Sequence, residues 1–427
     1  MNLKNVKVLV IDEGNSVELA VKLVPYFKEV FYCTTFEDAF PGIQKAFIGY
    51  GVDGVQLIHC EVFAHYDEKT DYNYDDIGLF ICTDVYSGDL QQHLVEDGKN
   101  VFGCRLGEEL ELDRVYFKKM LKKLGLPVGE YEVLKGLDKL DEFLQTAKGT
   151  YYVKISEYRG IKETFKFDNY KEDMSILWRL KQKLGYVRNL ITFVADKKID
   201  SLVESGIDTW YIDGNHPNIA FYGYELKDEL YVIKAETWSK IPKCLTEIND
   251  KFAKIFEDYG CRGSISTEVR LMKDKTNYFI DPCMRQPSPP GECIYDMIEN
   301  TDEIFFFGAK GKIVEPILKF KYGVIAYIYS GWSEENPCAV SFPKEIRQFV
   351  KLKHCCKIDG VYNILPQYPP TDQIGAVIGL GNTLDEAIEQ CKKNAEQVSG
   401  TEIEIKTDRF ADVMEVIEKG RSIGIDF

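Results

Sequence analysis

Hydrophobic positions near the N-terminus come in short continuous blocks. Val6 to Ile11 (VKVLVI) is rich in β-branched residues, breaks at Asp12-Glu13-Gly14-Asn15, and gives way to Val17 to Phe27, where apolar residues recur at helical spacing. This predicts a strand, a turn and a helix. The pattern returns with the strand Ile77 to Cys82, the turn Thr83-Asp84, a helix around Leu90 to Asp97 and a strand at Asn100 to Gly103. Alternating strands and helices predict a parallel sheet covered on both faces.

From Leu112 the period changes. Tyr116, Phe117, Met120, Leu121 and Leu124 follow helical spacing until Gly125 and Pro127 stop it. Then come Tyr131 to Val133, a polar helix, the strand YYVK at Tyr151 to Lys154, the loop ISEYRGIKETF and a helix from Tyr170 to Leu184. Strands are expected at Leu190 to Ala195 and Thr209 to Ile212, and a helix at Pro242 to Tyr259. Ser264 to Met272 and Asn277 to Ile280 read as facing strands joined by a turn. The last part holds strands at Gly323 to Tyr329 and Ala376 to Ile378, and a helix opened at Thr383 by a capping-box sequence, Thr-Leu-Asp-Glu. These patterns divide the chain into a parallel-sheet domain (1–108), an α+β middle (109–320, with a subdomain at about 128–195) and a small α+β domain (321–427).

Length and composition fit that reading. A chain of 427 residues exceeds the usual size of one core. The formal charge of -16 opposes general affinity for duplex nucleic acid or an anionic membrane, because a polyanion needs a basic face to release its counterions. None of the 12 Cys forms a CxxC pair, so zinc-ribbon arithmetic gives nothing, and reduced thiols in a cytoplasm are expected. The N-terminus lacks a basic-then-apolar leader and no run approaches membrane-spanning length, so a soluble protein is expected.

Phosphoryl chemistry needs cations for phosphate and carboxylates for magnesium. Lys154 closes a hydrophobic strand ahead of a loop carrying Arg159 and Lys162, and Glu268 and Asp281 sit on the facing strands with Arg285 four residues on. Each feature also has a plain reading. A lysine at an edge strand blocks aggregation, and strands of an acidic protein often end in solvated carboxylates.

The ordered series LELDRVYFKKMLKKLGLPVGEYEVL, YYVK, FVADKKIDSLVE, YGCRGSISTEVRL and YFIDPCMR resembles the ATP-grasp ligases, and within them the glycinamide ribonucleotide synthetase family. The resemblance runs from about Val6 to Gly400 and is best between Leu112 and Arg285. It implies an ATP-grasp fold with a parallel-sheet domain before it and a small α+β domain after it. It also implies ATP with Mg2+, or Mn2+ in its place, and ADP-forming ligation of a small carboxylate to an amine. Arg114 and Lys154 fall on the family's phosphate-binding cations, with Arg159 and Lys162 in the covering loop. Asp196, Lys198 and Ile199 fall on the adenine hinge, and Glu204 on the ribose acid, with two residues inserted before it. Glu268 and Asp281 fall on the magnesium carboxylates and Arg285 on the residue that steadies the acyl phosphate.

The departures fall on the acceptor side. The family's glycine-rich turn with Arg and His reads DEGNSVELA here, its glycine-proline-glutamate turn reads Thr83 to Gly88, and its Gly-Asp-Pro-Glu reads QPSPPGE. Cys283 replaces an Asn beside the second acid and is a soft ligand poorly matched to magnesium. Retained nucleotide residues with lost phosphoribosyl residues imply a changed acceptor. The competing expectations are a nucleotide-binding protein without turnover and a carboxylase of the biotin-carboxylase type, although nothing in the chain resembles a biotin-carrying module.

Overall fold

A computed structural model describes residues 3–34, 42–58, 72–156, 164–227, 229–288, 290–367 and 370–427. The chain forms two compact units. Unit 1 comprises Met1–Gly107, Ser205–Thr267 and Cys283–Phe427, and unit 2 comprises Glu108–Glu204 and Glu268–Pro282.

In chain order the elements begin with β1 (Lys7–Asp12), α1 (Val17–Leu23), β2 (Glu29–Thr34), β3 (Gln56–Leu57), β4 (Ile77–Cys82), α2 (Gly88–Glu96) and β5 (Val101–Phe102). Next are α3 (Glu109–Leu112), α4 (Arg114–Lys123), β6 (Tyr131–Lys135), α5 (Leu137–Thr146), β7 (Tyr151–Ile155), β8 (Thr164–Phe167), α6 (Tyr170–Leu184) and β9 (Thr192–Lys197). The middle continues with β10 (Val203–Ile212), β11 (Ile219–Leu226), β12 (Leu230–Thr237), α7 (Lys243–Asp258), β13 (Arg262–Leu271), β14 (Asn277–Cys283), α8 (Pro290–Met297) and α9 (Thr301–Ala309). The last stretch carries β15 (Tyr322–Ser330), β16 (Cys338–Ser341), β17 (Val350–Leu352), β18 (Cys355–Ile358), β19 (Val361–Ile364), β20 (Gln373–Gly381), α10 (Leu384–Ala395), β21 (Ser399–Gly400), β22 (Ile403–Ile405) and α11 (Phe410–Ser422).

In unit 1 the N-terminal sheet has the order β3-β2-β1-β4-β5, and its pairings are parallel. All six residues of β1 are buried, which is why that strand reads as a continuous apolar run and not an alternating one. Leu9, Ile11, Phe31 and Phe80 lie in its core. The chain leaves β1 for β2 on one side and returns through β4 on the other, so the loops after β1 and β4 flank a topological switch point. In open α/β sheets ligands bind at such points, outside the carboxyl ends of the strands.

A second sheet has the order β14-β13-β10-β11-β12-β15-β20-β17, with β22 on β15, and a four-stranded sheet has the order β18-β19-β16-β21. The division between the units falls within β10, β13 and β14, so each gives residues to both. The helix read from Thr383 is α10, and its capping box is formed: Thr383 accepts from the Glu386 amide and Glu386 accepts from the Thr383 amide.

Unit 2 contains the antiparallel sheet β6-β9-β7-β8, with Leu140, Leu144, Leu177 and Phe193 in its core. Helix α6 has the expected span, with Asn169 capping it by accepting from the Glu172 amide. Strand β9 starts two residues later than the apolar run from Leu190 suggests. The Leu190 amide donates to Val187 O, so a turn takes the first part of that run.

Candidate functional site

Three of the side chains singled out for phosphate and metal, Lys154, Arg114 and Asp281, come together in unit 2. Lys154 lies on β7, where the two-residue period puts it on the same face as Tyr152. It is 8% exposed, and its Nζ lies 2.6 Å from Asp281 Oδ2 on β14. Arg114 opens α4. The helix starts there because Asp113 accepts hydrogen bonds from the Val115 and Tyr116 amides, as an N-cap should. Arg114 Nε donates to Ile155 O at the end of β7, at 3.4 Å. Lys118 follows one helical turn later and lies 2.6 Å from Asp196. Desolvation acts to raise the Asp281 pKa, but Lys154, Arg114 and Lys118 outweigh it and hold the carboxyl below its ordinary value. Three cations thus act on one carboxylate.

At the other end stands Glu204. Its Oε2 accepts from Arg270 Nε at 3.1 Å, while Oε1 is buried without a hydrogen-bond partner. Arg270 shares a face of β13 with Glu268, two residues back, and its guanidinium lies 5.8 Å from the centre of the Tyr152 ring. A buried carboxylate oxygen without a partner leaves an acceptor open to a donor. The residues expected at the adenine hinge are partly committed already. The Lys198 amide donates to Thr150 O, Ile199 O accepts from the Ser201 amide, and the Lys198 side chain pairs with the exposed Asp200 at 3.0 Å. Arg159 and Lys162 lie outside the described residues.

Among the described residues, no group of three or more His, Cys, Asp or Glu could hold a metal ion by itself. Glu268 on β13 and Asp281 on β14 are the two carboxylates expected for a metal. That fits magnesium, which is commonly held by one or two carboxylates together with phosphate and water oxygens. The Cys283 thiol is turned to another use, donating to Arg285 O at 3.6 Å.

Arg285 belongs to unit 1, as do the loops at the switch point. Its Nε lies 3.5 Å from Asp84 Oδ1, and Asp84 Oδ2 accepts from Asn15 at 3.2 Å. The DEGNS turn is held from within: Asp12 accepts from the Gly14 and Ser16 amides, from Tyr32 OH at 2.6 Å and from Thr83 Oγ1 at 2.9 Å. Burial, helped by the charge of Asp84, raises the Asp12 pKa despite these bonds.

Solved structures of similar architecture cover nearly the whole chain. Phosphoribosylamine–glycine ligase from Thermotoga maritima matches with a TM-score of 0.67 at 19% identity, over 94% of this chain and 100% of that one. The chain has the ATP-grasp fold. Biotin carboxylase from Campylobacter jejuni matches with a TM-score of 0.64 at 13% identity, over 96% and 95% of the two chains. L-amino acid ligase from Bacillus licheniformis matches with a TM-score of 0.60 at 15% identity, over 94% and 98%. No protein-family model and no curated protein matches at the level of sequence.

Two residues that the structure places in this cluster were not anticipated, Lys118 and Arg270. Both had a signal. Lys118 is four residues after Arg114 on one helix, and Arg270 is two residues after Glu268 on one strand, so each shares a face with a residue already chosen.

Proposed function

We propose that the protein is an ATP-dependent, ADP-forming carboxylate–amine ligase. A carboxylate oxygen of the substrate attacks the γ-phosphorus and ADP leaves. The amine nitrogen then attacks the acyl carbon, inorganic phosphate leaves, and the nitrogen loses a proton. The observation that carries this reading is the convergence of Lys154, Arg114 and Lys118 on Asp281, together with the unpartnered Glu204 oxygen. Lys154 and Arg114 provide positive charge where phosphoryl charge develops, the principal help a protein gives such a step. Glu268 and Asp281 would hold Mg2+, which when bound neutralises phosphate charge. Arg285 would hold the acyl phosphate. The likeness to phosphoribosylamine–glycine ligase makes glycine the first carboxylate to try, and an amine-bearing nucleotide or sugar phosphate the first acceptor.

The test is ADP release by the full chain with ATP, Mg2+ and a panel of amino acids and amines. Release that requires both a carboxylate and an amine is expected. A nucleotide-binding protein without turnover is the second reading, favoured by the Lys154–Asp281 pair, which engages two site residues with one another. It predicts tight ATP binding and no amine-dependent ADP release.

A further inference from the structure

Within unit 2 the Lys154 ammonium and the Asp281 carboxylate neutralise one another directly, at 2.6 Å. The two ends differ in access. The Lys154 side chain is 10% exposed and the Asp281 side chain 39%, so an incoming cation can reach the carboxylate while the ammonium stays enclosed. The other two cations that act on Asp281 are tied to acceptors of their own: Arg114 Nε donates to Ile155 O at 3.4 Å, and Lys118 Nζ lies 2.6 Å from Asp196. Lys154 is therefore the cation whose charge Asp281 itself matches. On the neighbouring strand β13, Glu268 lies in the field of Arg270. Both carboxylates expected to hold a metal thus face a cation of the protein.

A divalent ion that takes Asp281 displaces Lys154 and leaves an enclosed ammonium without a counterion. Removing one partner of a buried pair costs far more than the pair itself contributes. Nucleotide phosphate lifts that penalty, because it offers the flexible ammonium a new anion. We propose that Lys154 is an internal stand-in for the metal: it keeps Asp281 closed to a divalent cation until nucleotide phosphate draws the ammonium away, so that metal and nucleotide enter together. The coupling is reciprocal. If phosphate opens the carboxylate to the metal, the metal frees Lys154 for phosphate by the same factor. This competition deepens the ligase reading by giving the order in which its ATP site fills, and it rests on that reading for the identity of the nucleotide but not for the rivalry between Lys154 and a cation.

Mn2+ alone, titrated into the full chain and followed by the paramagnetic resonance signal of the free ion, is the first probe. Without nucleotide the parent should bind it no better than Asp281→Asn does. Lys154→Met keeps the length of the side chain and removes its charge, so it should bind Mn2+ at least about tenfold more tightly than the parent, the usual scale for an interaction with a charged group. Adding Asp281→Asn to it should abolish that gain. The second probe is a non-hydrolysable ATP analogue with all metal removed by EDTA. Asp281→Asn should bind it more tightly than the parent, because Lys154 is released to phosphate, and this variant reads the competition even if Lys154→Met fails to fold. Parent binding of Mn2+ that exceeds that of Asp281→Asn without nucleotide overturns the proposal, and so do single variants that each bind their probe as the parent does. The expected gains, combined with no ADP release from any carboxylate and amine, leave the competition standing and remove the ligase reading. Amine-dependent ADP release with parent-like Mn2+ binding in Lys154→Met does the reverse.

Discussion

Lys154, expected from the sequence to meet phosphate, is found in company that the sequence does not announce. Its partner Asp281 is 127 residues away, and only the folded chain places the two ends 2.6 Å apart. In the ligase reading this pair must open when magnesium takes the carboxylate. Asp281→Ala should therefore abolish magnesium-dependent ADP release while the circular dichroism spectrum stays that of the parent. Loss of the folded spectrum would make Asp281 a structural residue. Glu204 supports a more specific expectation. In the same reading its orphaned oxygen accepts a ribose hydroxyl, so Glu204→Gln should cost about tenfold in ATP affinity, as a hydrogen bond to a charged acceptor does. The same change should shrink the preference for ATP over its 2′,3′-dideoxy analogue. Competitive binding of the two nucleotides measures this, and an undiminished preference would remove Glu204 from the ribose.

The strength of the periodic signal decided what could be read of the elements. Helix α6, strand β4 and the capping box of α10 were legible because long apolar periodicity, a fully apolar run and a Thr-x-x-Glu cap are local signals. The strands β16, β18 and β19 were not, being four residues each, too short to establish a period. The site divided in the same way. Lys154, Glu268 and Asp281 could be picked out as candidates by residue type and place on a strand, but the pairing of Arg270 with Glu204 depends on strands meeting across 66 residues. Another pairing out of reach from sequence joins α1 to the segment before β17. Arg347 donates to both oxygens of Glu18, at 3.0 and 3.2 Å, and to Asp53 at 2.6 Å, with its guanidinium against the Tyr362 ring. Asp53 also holds Lys357 and Tyr362; burial opposes its ionisation, yet these partners bring its pKa down to about 2. Arg347→Met leaves the buried Glu18 carboxylate without its cation, which should cost about 3–5 kcal/mol in urea denaturation. Adding Glu18→Gln should recover part of that loss, because the two sites are coupled. Additive losses would show that the pair contributes little.

For the molecule as a whole, an excess of acid groups makes stability sensitive to pH in more than one direction. Partners hold Asp53 and Asp296 below their ordinary pKa, whereas burial raises Asp12, Asp208 and Glu292. Glu292 is the clearest of the raised group. Burial lifts it from 4.5 to about 7, against the pull of its helix backbone, Lys353, Lys351 and Ser288. Between those two values the folded chain keeps a proton that the unfolded chain has released. Stability therefore falls as pH rises through this window, and the loss is complete above pH 7. A difference of that size corresponds to about 3 kcal/mol at most. Glu292→Gln has nearly the same shape and no charge to bury. It should match the parent near pH 4.5 and exceed it at pH 8, with a flatter profile between. Subtracting the two urea-denaturation series isolates this residue, since the other acids contribute to both. A variant less stable than its parent at pH 8 would mean that Lys351 and Lys353 satisfy the Glu292 carboxylate in its charged form, and that burial is not what governs it.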